Sequence, residues 1–221
     1  MLSVAIGDVH GMADKLERLL ARIDQHMRRF HPGEPFRLIF LGDYVDRGPD
    51  SRRVIETLKA LQKDGAICLR GNHEELLIRS CSTPSDLIVF LRNGGVATLA
   101  SLETEERILD AMAWAATLPV TLEDEHRLFV HAGIRPGVPL DRQRVEDLLW
   151  IRTPFLEHPG PFPKYVVHGH SPTAVLPDGL RSPHILSNRC NLDTGAAYGG
   201  SLSAAVFAGD RPMPLATIVV E

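Results

Sequence analysis

Five times in its first 172 residues, this chain runs through a short apolar stretch and straight into a glycine-framed cluster of Asp, His or Asn. Leu2–Ile6 leads into Gly7-Asp8-Val9-His10-Gly11, and residues 36–41 lead into Gly42-Asp43-Tyr44-Val45-Asp46-Arg47-Gly48. Residues 66–69 precede Gly71-Asn72-His73-Glu74. The run ending at Val130 precedes His131-Ala132-Gly133, and the run ending at Val167 precedes His168-Gly169-His170-Ser171-Pro172. Apolar runs this short suit buried strands and are too short for helices. Ligand sites of open α/β sheets lie beyond the carboxyl ends of the strands, so polar side chains placed there converge on one crevice.

The segments between these runs read as helices. Met12, Leu16, Leu19, Leu20, Ile23 and Met27 form one stripe of an amphipathic helix, with Lys15, Glu17, Arg18 and Arg22 on its other faces. His31-Pro32-Gly33 ends it, and Arg28 and Arg29 complement the helix dipole just before that stop. Asp50-Ser51 is the predicted N-cap of a second helix with Val54, Ile55, Leu58 and Leu61 inward, and Gly65 is its predicted terminator. This β-α-β-α-β order predicts a parallel sheet. Residues 72–118 read as mostly helical, with Asn93-Gly94-Gly95 as a break and Pro119 as the stop. Strands are then predicted at 120–122, 127–130, 165–167, 202–207 and 215–220, with Glu123-Asp124-Glu125-His126 as a hairpin turn. These are expected to form a second, more antiparallel sheet. Neither repeats nor a linker divide the chain, which predicts one domain over residues 1–221.

Composition removes several classes of function. The formal net charge is −4 and the pI about 6.2, which argues against electrostatic recruitment to nucleic acid. No apolar run approaches the roughly 18 residues of a membrane helix. The N-terminus lacks the basic, then apolar, pattern of a signal peptide, so a cytoplasmic location is expected. Three scattered cysteines make neither a disulfide framework nor a zinc knuckle.

Carboxylates and neutral imidazoles are poor core residues and good ligands for divalent cations. The clusters hold too many of them for one tetrahedral ion, and about the number that two ions sharing a carboxylate would use. Arg47 and Arg152 add planar guanidinium forks suited to phosphate. Together these features imply an anionic substrate with tetrahedral oxygens.

In their order and content, these motifs resemble those of the calcineurin-like metallophosphoesterases. More narrowly they resemble PPP-type serine/threonine protein phosphatases in their compact bacterial and phage form. The likeness runs from residue 7 to 172, and Asn191-Leu192-Asp193-Thr194-Gly195 resembles the strand and turn that follow. The resemblance implies an α/β fold with two central mixed β-sheets flanked by helices and a dinuclear metal site at the strand ends. It implies that Asp8 and His10 bind the first metal, that Asp43 bridges both, and that Asn72, His131 and His170 bind the second. Manganese is the expected ion, with iron and zinc as alternatives. A bridging hydroxide would attack phosphorus in line, His73 would protonate the leaving group, and Asp46 would orient His73. Arg47 and Arg152 would hold the non-bridging oxygens.

Other residues carry milder expectations. His168 is expected to hydrogen-bond near the site without ligating, Glu74 to hold nearby backbone, and Arg70 to pack or pair at a strand end. Tyr44 and Tyr198 either line the crevice or plug it, and Cys68 is expected in the core. Residues 80–118 are expected to cover one rim. The resulting expectation is a phosphomonoesterase acting on phosphoserine and phosphothreonine in proteins, with phosphotyrosine also within reach. A symmetrical diadenosine tetraphosphate hydrolase is the alternative; those relatives carry Gln and Asn where this chain keeps His10 and Asp46. A nucleic-acid end phosphatase often comes fused to a kinase, and the chain has no P-loop lysine motif. A non-catalytic phosphoprotein scaffold would lack His73, Asp46 or Asp43, all of which are present.

Overall fold

Leu2–Ile6 (β1) is apolar at most positions because both of its faces are buried. Leu2, Val4 and Ile6 point into a core shared with helices, whereas Ala5 points into a core shared with a second sheet. The computed structural model describes residues 1–176, 179 and 181–221.

β1 is followed by α1 (Ala13–Phe30), β2 (Phe36–Phe40), α2 (Ser51–Lys63) and β3 (Ile67–Cys68). β1, β2 and β3 pair in parallel, in register Leu2 with Phe36 and Ile6 with Phe40. Helix α1 buries Ala13, Leu16, Leu19, Ile23 and Met27 along the predicted stripe. Asp50 caps α2 by accepting from the Arg53 N–H at 3.0 Å, and Gly65 adopts a left-handed φ of 94° after it.

Four helices follow: α3 (Asn72–Arg79), α4 (Pro84–Phe90), α5 (Val96–Leu102) and α6 (Glu105–Ala116). Between α4 and α5 a wide turn, Leu91–Gly95, kinks the chain at Gly94, where φ is 107°. Next come β4 (Thr121–Glu123), β5 (Arg127–Val130), α7 (Val145–Trp150), β6 (Tyr165–His168), β7 (His184–Ile185), β8 (Arg189–Asn191), β9 (Leu202–Phe207) and β10 (Ala216–Val220).

One sheet has the order β10-β9-β1-β2-β3 and the other β4-β5-β6-β8-β7. The expected second sheet is therefore corrected in two respects. The strands at 202–207 and 216–220 return to the first sheet, where β9 pairs antiparallel with β1. The second sheet has a parallel centre, β5-β6-β8, with antiparallel strands only at its edges. Alternation of apolar residues marks a strand but does not name its partner.

The sheets pack face to face through Ala5, Ile39, Phe129, Val167, Ala205 and Phe207. The helices cover the outer face of the first sheet, and α7 with Phe155 covers that of the second. Among the described residues no helix is long and apolar enough to cross a membrane.

Arg127 in β5 clasps the two sheets. It is 1% exposed, lies against the rings of Phe129 and Phe207, and pairs with Asp124 at 2.7 Å. It also donates to the carbonyls of Ala208 and Arg211 beyond β9, at 2.7 and 3.0 Å. Replacing Arg127 with Leu should destabilise the fold by about 2–4 kcal/mol in urea unfolding, because those carbonyls and Asp124 lose their donor. A change below about 1 kcal/mol would mean that apolar packing replaces the clasp.

Candidate metal centre

The loops after β1, β2 and β3 leave one edge of the first sheet, and those after β5, β6 and β8 leave the facing edge of the second. They meet there: Leu41 O, at the end of β2, accepts from His131 Nδ1–H after β5 at 2.9 Å. Six non-glycine residues among those described have positive φ, and five belong to these loops: His10, Asp43, Asp46, Arg47 and His170. Backbone held in a sparsely populated region at so many adjacent positions marks a site whose side-chain directions override local preference.

Asp43 occupies the centre. Its Oδ2 is 3.5 Å from His10 Nε2 and 3.8 Å from His73 Nε2, and its Oδ1 is 3.3 Å from His131 Nε2. Asn72 Oδ1 lies 2.8 Å from His131 Nε2 and 2.9 Å from His170 Nδ1. Asp8 accepts from the His170 N–H at 3.0 Å. The approach requires glycine at two points: a Cβ on Gly71 would sit 2.2 Å from Asp43 Oδ1, and one on Gly169 would sit 2.0 Å from Asp8 Oδ1.

Glu74 sets the position of this centre. Its carboxylate accepts from the N–H groups of Asp43, Tyr44 and Gly71 at 2.8, 2.8 and 2.9 Å, and from Val45 at 3.3 Å. One side chain thereby fixes the loop after β2 against the start of α3, which is the backbone-holding role expected for it.

The donor set fits divalent cations. His10 and His131 each donate Nδ1–H to a carbonyl, of Val45 and Leu41, which turns Nε2 toward the cluster. For His131 burial lowers the ring's pKa, but the facing Asp43 outweighs it and holds it above the usual imidazole range. Burial pushes His10 down to about 3 and His170 well below the usual imidazole range, so both are neutral, as ligation demands. The buried Nε2 of His170 has no hydrogen-bond partner among the described residues. Burial, with the charges of Asp193 and Asp43, holds Asp8 well above the usual carboxylate range. Burial alone would also raise Asp43, but the imidazoles of His131, His73 and His10 outweigh it and hold Asp43 well below that range. The ligand atoms of His10, Asp43 and His73 lie within 4.8 Å of one another, as do those of Asp43, His131 and His170. Two groups thus share Asp43, the arrangement a bridging carboxylate requires.

The family profile of calcineurin-like phosphoesterases matches residues 1–198. The chain belongs to this family. It is 30% identical to an asymmetrical bis(5'-nucleosyl)-tetraphosphatase, PrpE, of Halalkalibacterium halodurans, over 91% of this chain and 88% of the relative. It is 27% identical to serine/threonine-protein phosphatase 1 of Salmonella typhimurium, over 90% of this chain and 89% of the relative. A crystal structure provisionally assigned as a diadenosine tetraphosphatase superposes with a TM-score of 0.69 at 28% identity, covering 99% of this chain and 92% of that one.

In this calcineurin-like phosphoesterase the expected acid and its partner stand together. His73 Nδ1 is 2.6 Å from Asp46 Oδ2, so one proton lies between them, and His73 Nε2 faces the centre. Burial pushes His73 down to about 4 and Asp46 up to about 7. Arg47 reaches the Nε2 atoms of both His10 and His73, the latter at 2.7 Å. Arg152 sits further out, exposed, and donates to His170 O at 3.3 Å.

The residues with milder expectations also find their places. His168 lies beside the cluster, bonded through Nδ1 to Gly169 O and packed on Phe155. Arg70 pairs with Glu75 at 3.2 Å. Tyr44 is a buried plug whose hydroxyl donates to Leu69 O at 2.7 Å, and Cys68 is buried in the core. Tyr198 is 63% exposed, with the Arg47 guanidinium 5.2 Å from its ring centre.

Two residues escaped the sequence reading. Asp193, beyond β8, is buried, pushed up to about 6 by that burial, and opposes Asp8. It obeys the same strand-end rule as the other acids, which was the available signal. Thr98, inside α5, carried none. Its hydroxyl donates to Asp46 Oδ1 at 2.6 Å and accepts from the Asp46 N–H at 2.8 Å, which leaves Oδ2 for His73. Thr98→Val should lower kcat roughly ten- to hundredfold, since a hydrogen bond to a charged group is worth about 1.5–3 kcal/mol, and Thr98→Ser should restore it. Equal rates for Val and Ser variants would remove Thr98 from the positioning of Asp46.

Proposed function

We propose that this chain is a metal-dependent hydrolase of bis(5'-nucleosyl) tetraphosphates that cuts an outer phosphoanhydride, releasing a nucleoside monophosphate and a nucleoside triphosphate. The observation that carries the substrate assignment is the 30% identity to an asymmetrical tetraphosphatase over 91% of this chain and 88% of the relative, supported by the two His/Asp groups that share Asp43. The retained His10 and Asp46 support the asymmetrical cut over the symmetrical one.

Asp8, His10 and Asp43 would hold one divalent ion, and Asp43, Asn72, His131 and His170 the other, manganese being the ion proposed. Held there, two such ions would supply Lewis-acid charge and would make a bound water more acidic. Arg47 and Arg152 bind non-bridging oxygens and neutralise charge as it shifts along the P–O–P bond. The new bond forms between the water oxygen and phosphorus as the P–O–P bond breaks. His73 gives its Nε2 proton to the leaving phosphate oxygen, while its Nδ1–H stays on Asp46 Oδ2. The phosphate charge beside Nε2 favours the protonated ring against the effect of burial.

A second reading, hydrolysis of phosphoserine and phosphothreonine in proteins, is favoured by the 27% identity to the Salmonella phosphatase. It uses the same ions, acid and arginines with an alkoxide as leaving group.

Chelation should abolish turnover and manganese should restore it better than zinc or iron. The restored enzyme should then convert diadenosine tetraphosphate to AMP and ATP faster than it dephosphorylates a phosphothreonine peptide. His73→Asn should lower that rate by about 10²–10⁴. Two molecules of ADP as product would overturn the asymmetrical cut, and a clear preference for the peptide would establish the second reading.

A further inference from the structure

Next to the proposed phosphate arginines the surface forms an open cleft of about 370 Å³, lined by Arg152, Pro172, Val175, Arg181, Thr194 and Tyr198 among others. Small-molecule sites occupy roughly 300–1,000 Å³, so this one suits a single compact ligand. Its position follows from the loops that build the centre. Pro172 lies two residues beyond His170, Thr194 follows Asp193, and Arg152 donates to the His170 carbonyl. Arg47 connects the two regions: it reaches His10 and His73 on one side and stands over the Tyr198 ring on the other.

The lining divides by chemistry. Arg152 and Arg181 offer planar cationic forks, whereas Pro172, Ala174, Val175 and Tyr198 offer an apolar and aromatic wall. Val175 is 75% exposed and Tyr198 63%, the two most solvent-accessible large hydrophobic side chains in this wall. Tyr198 is also well anchored for an exposed residue. It ends a short 3₁₀ turn, Ala196–Tyr198, flanked by Gly195 and Gly199, both at φ 75°. Lys15 reaches across from α1 to hold the carbonyls of Ala196 and Gly200 on either side of it. A fixed aromatic platform next to phosphate-binding arginines suits a ligand with a flat aromatic end and an anionic end, since stacking on an aromatic ring contributes to base binding independently of base identity. A phosphorylated serine or threonine would engage the arginines and leave the aromatic wall in water.

We propose that this cleft is a nucleoside subsite, in which Tyr198 stacks on the base and Arg181 and Arg152 hold the phosphates leading to the centre. This assignment rests on the dinucleotide reading of the function, and a direct binding measurement separates the two. Binding of the fluorescent nucleotide 1,N6-etheno-AMP to the manganese-loaded protein would be compared with displacement by ribose 5-phosphate and by a phosphothreonine peptide. Tyr198→Ala should weaken etheno-AMP binding at least tenfold, Tyr198→Phe should retain it, and Arg181→Ala should weaken AMP and ribose 5-phosphate alike. Unchanged thermal unfolding would show that the variants fold. In turnover, KM for diadenosine tetraphosphate should rise with Tyr198→Ala by a larger factor than KM for p-nitrophenyl phosphate. Ribose 5-phosphate binding as tightly as AMP, a Tyr198→Ala variant with wild-type affinity, or tighter displacement by the peptide would each overturn the subsite. Tyr198-dependent AMP binding in a protein that fails to cleave the dinucleotide would keep the subsite and discard the functional reading. Cleavage that is indifferent to Tyr198 would do the reverse.

Discussion

Burying several mutually repelling acids in one site is the constraint around which this chain is arranged. Asp8, Asp43 and Asp193 are each at most 4% exposed, and taking carboxylates from water is costly unless donors or cations surround them. Part of the compensation is built from backbone: Asp43 receives the His73 N–H, Asp8 the His170 N–H, and Asp193 the Gly195 N–H. The remainder is left to imidazoles, Arg47 and the cations that the donor set fits. The positive φ angles at His10, Asp43 and His170 are part of the same arrangement, because only bent loops bring six strand ends to one point.

Glu74 shows how the constraint reaches outward. Its two oxygens gather four N–H groups from two loops. Burial and the nearby Asp43 push it up to about 7, so those N–H bonds work to keep its anionic form. A buried acid of this kind converts flexible glycine-rich segments into a defined cradle, which packing alone cannot do for loops with so few apolar side chains.

The site was far more legible in the sequence than the topology that supports it. Each expected metal ligand lies in a loop that follows a short apolar run and contains glycine, and that local pattern places its side chain at a strand's end whatever the strand's neighbours are. Pairing carries no such local mark. Leu202–Phe207 reads as a buried strand in either sheet, and its place beside β1 depends on a contact two hundred residues distant in sequence. The two-residue β7 and three-residue β8 are too short to show alternation at all. Thr98 was hidden for another reason: a threonine inside a helix is ordinary, and its bond to Asp46 spans 52 positions.

The kinked segment and the helix α5 that follows it touch the chemistry twice, through the Gly94 carbonyl on the Arg47 N–H at 3.2 Å and through Thr98 on Asp46. Among the described residues of the opposite wall, Pro172, Val175 and Tyr198 make no hydrogen bond to the His73–Asp46 pair. One bank of the crevice is therefore bonded directly to the His73–Asp46 pair, while the other meets it through Arg47, which bonds His73 and stands over Tyr198. A substitution at Tyr198 would therefore be felt at His73 only through the Arg47 side chain between them.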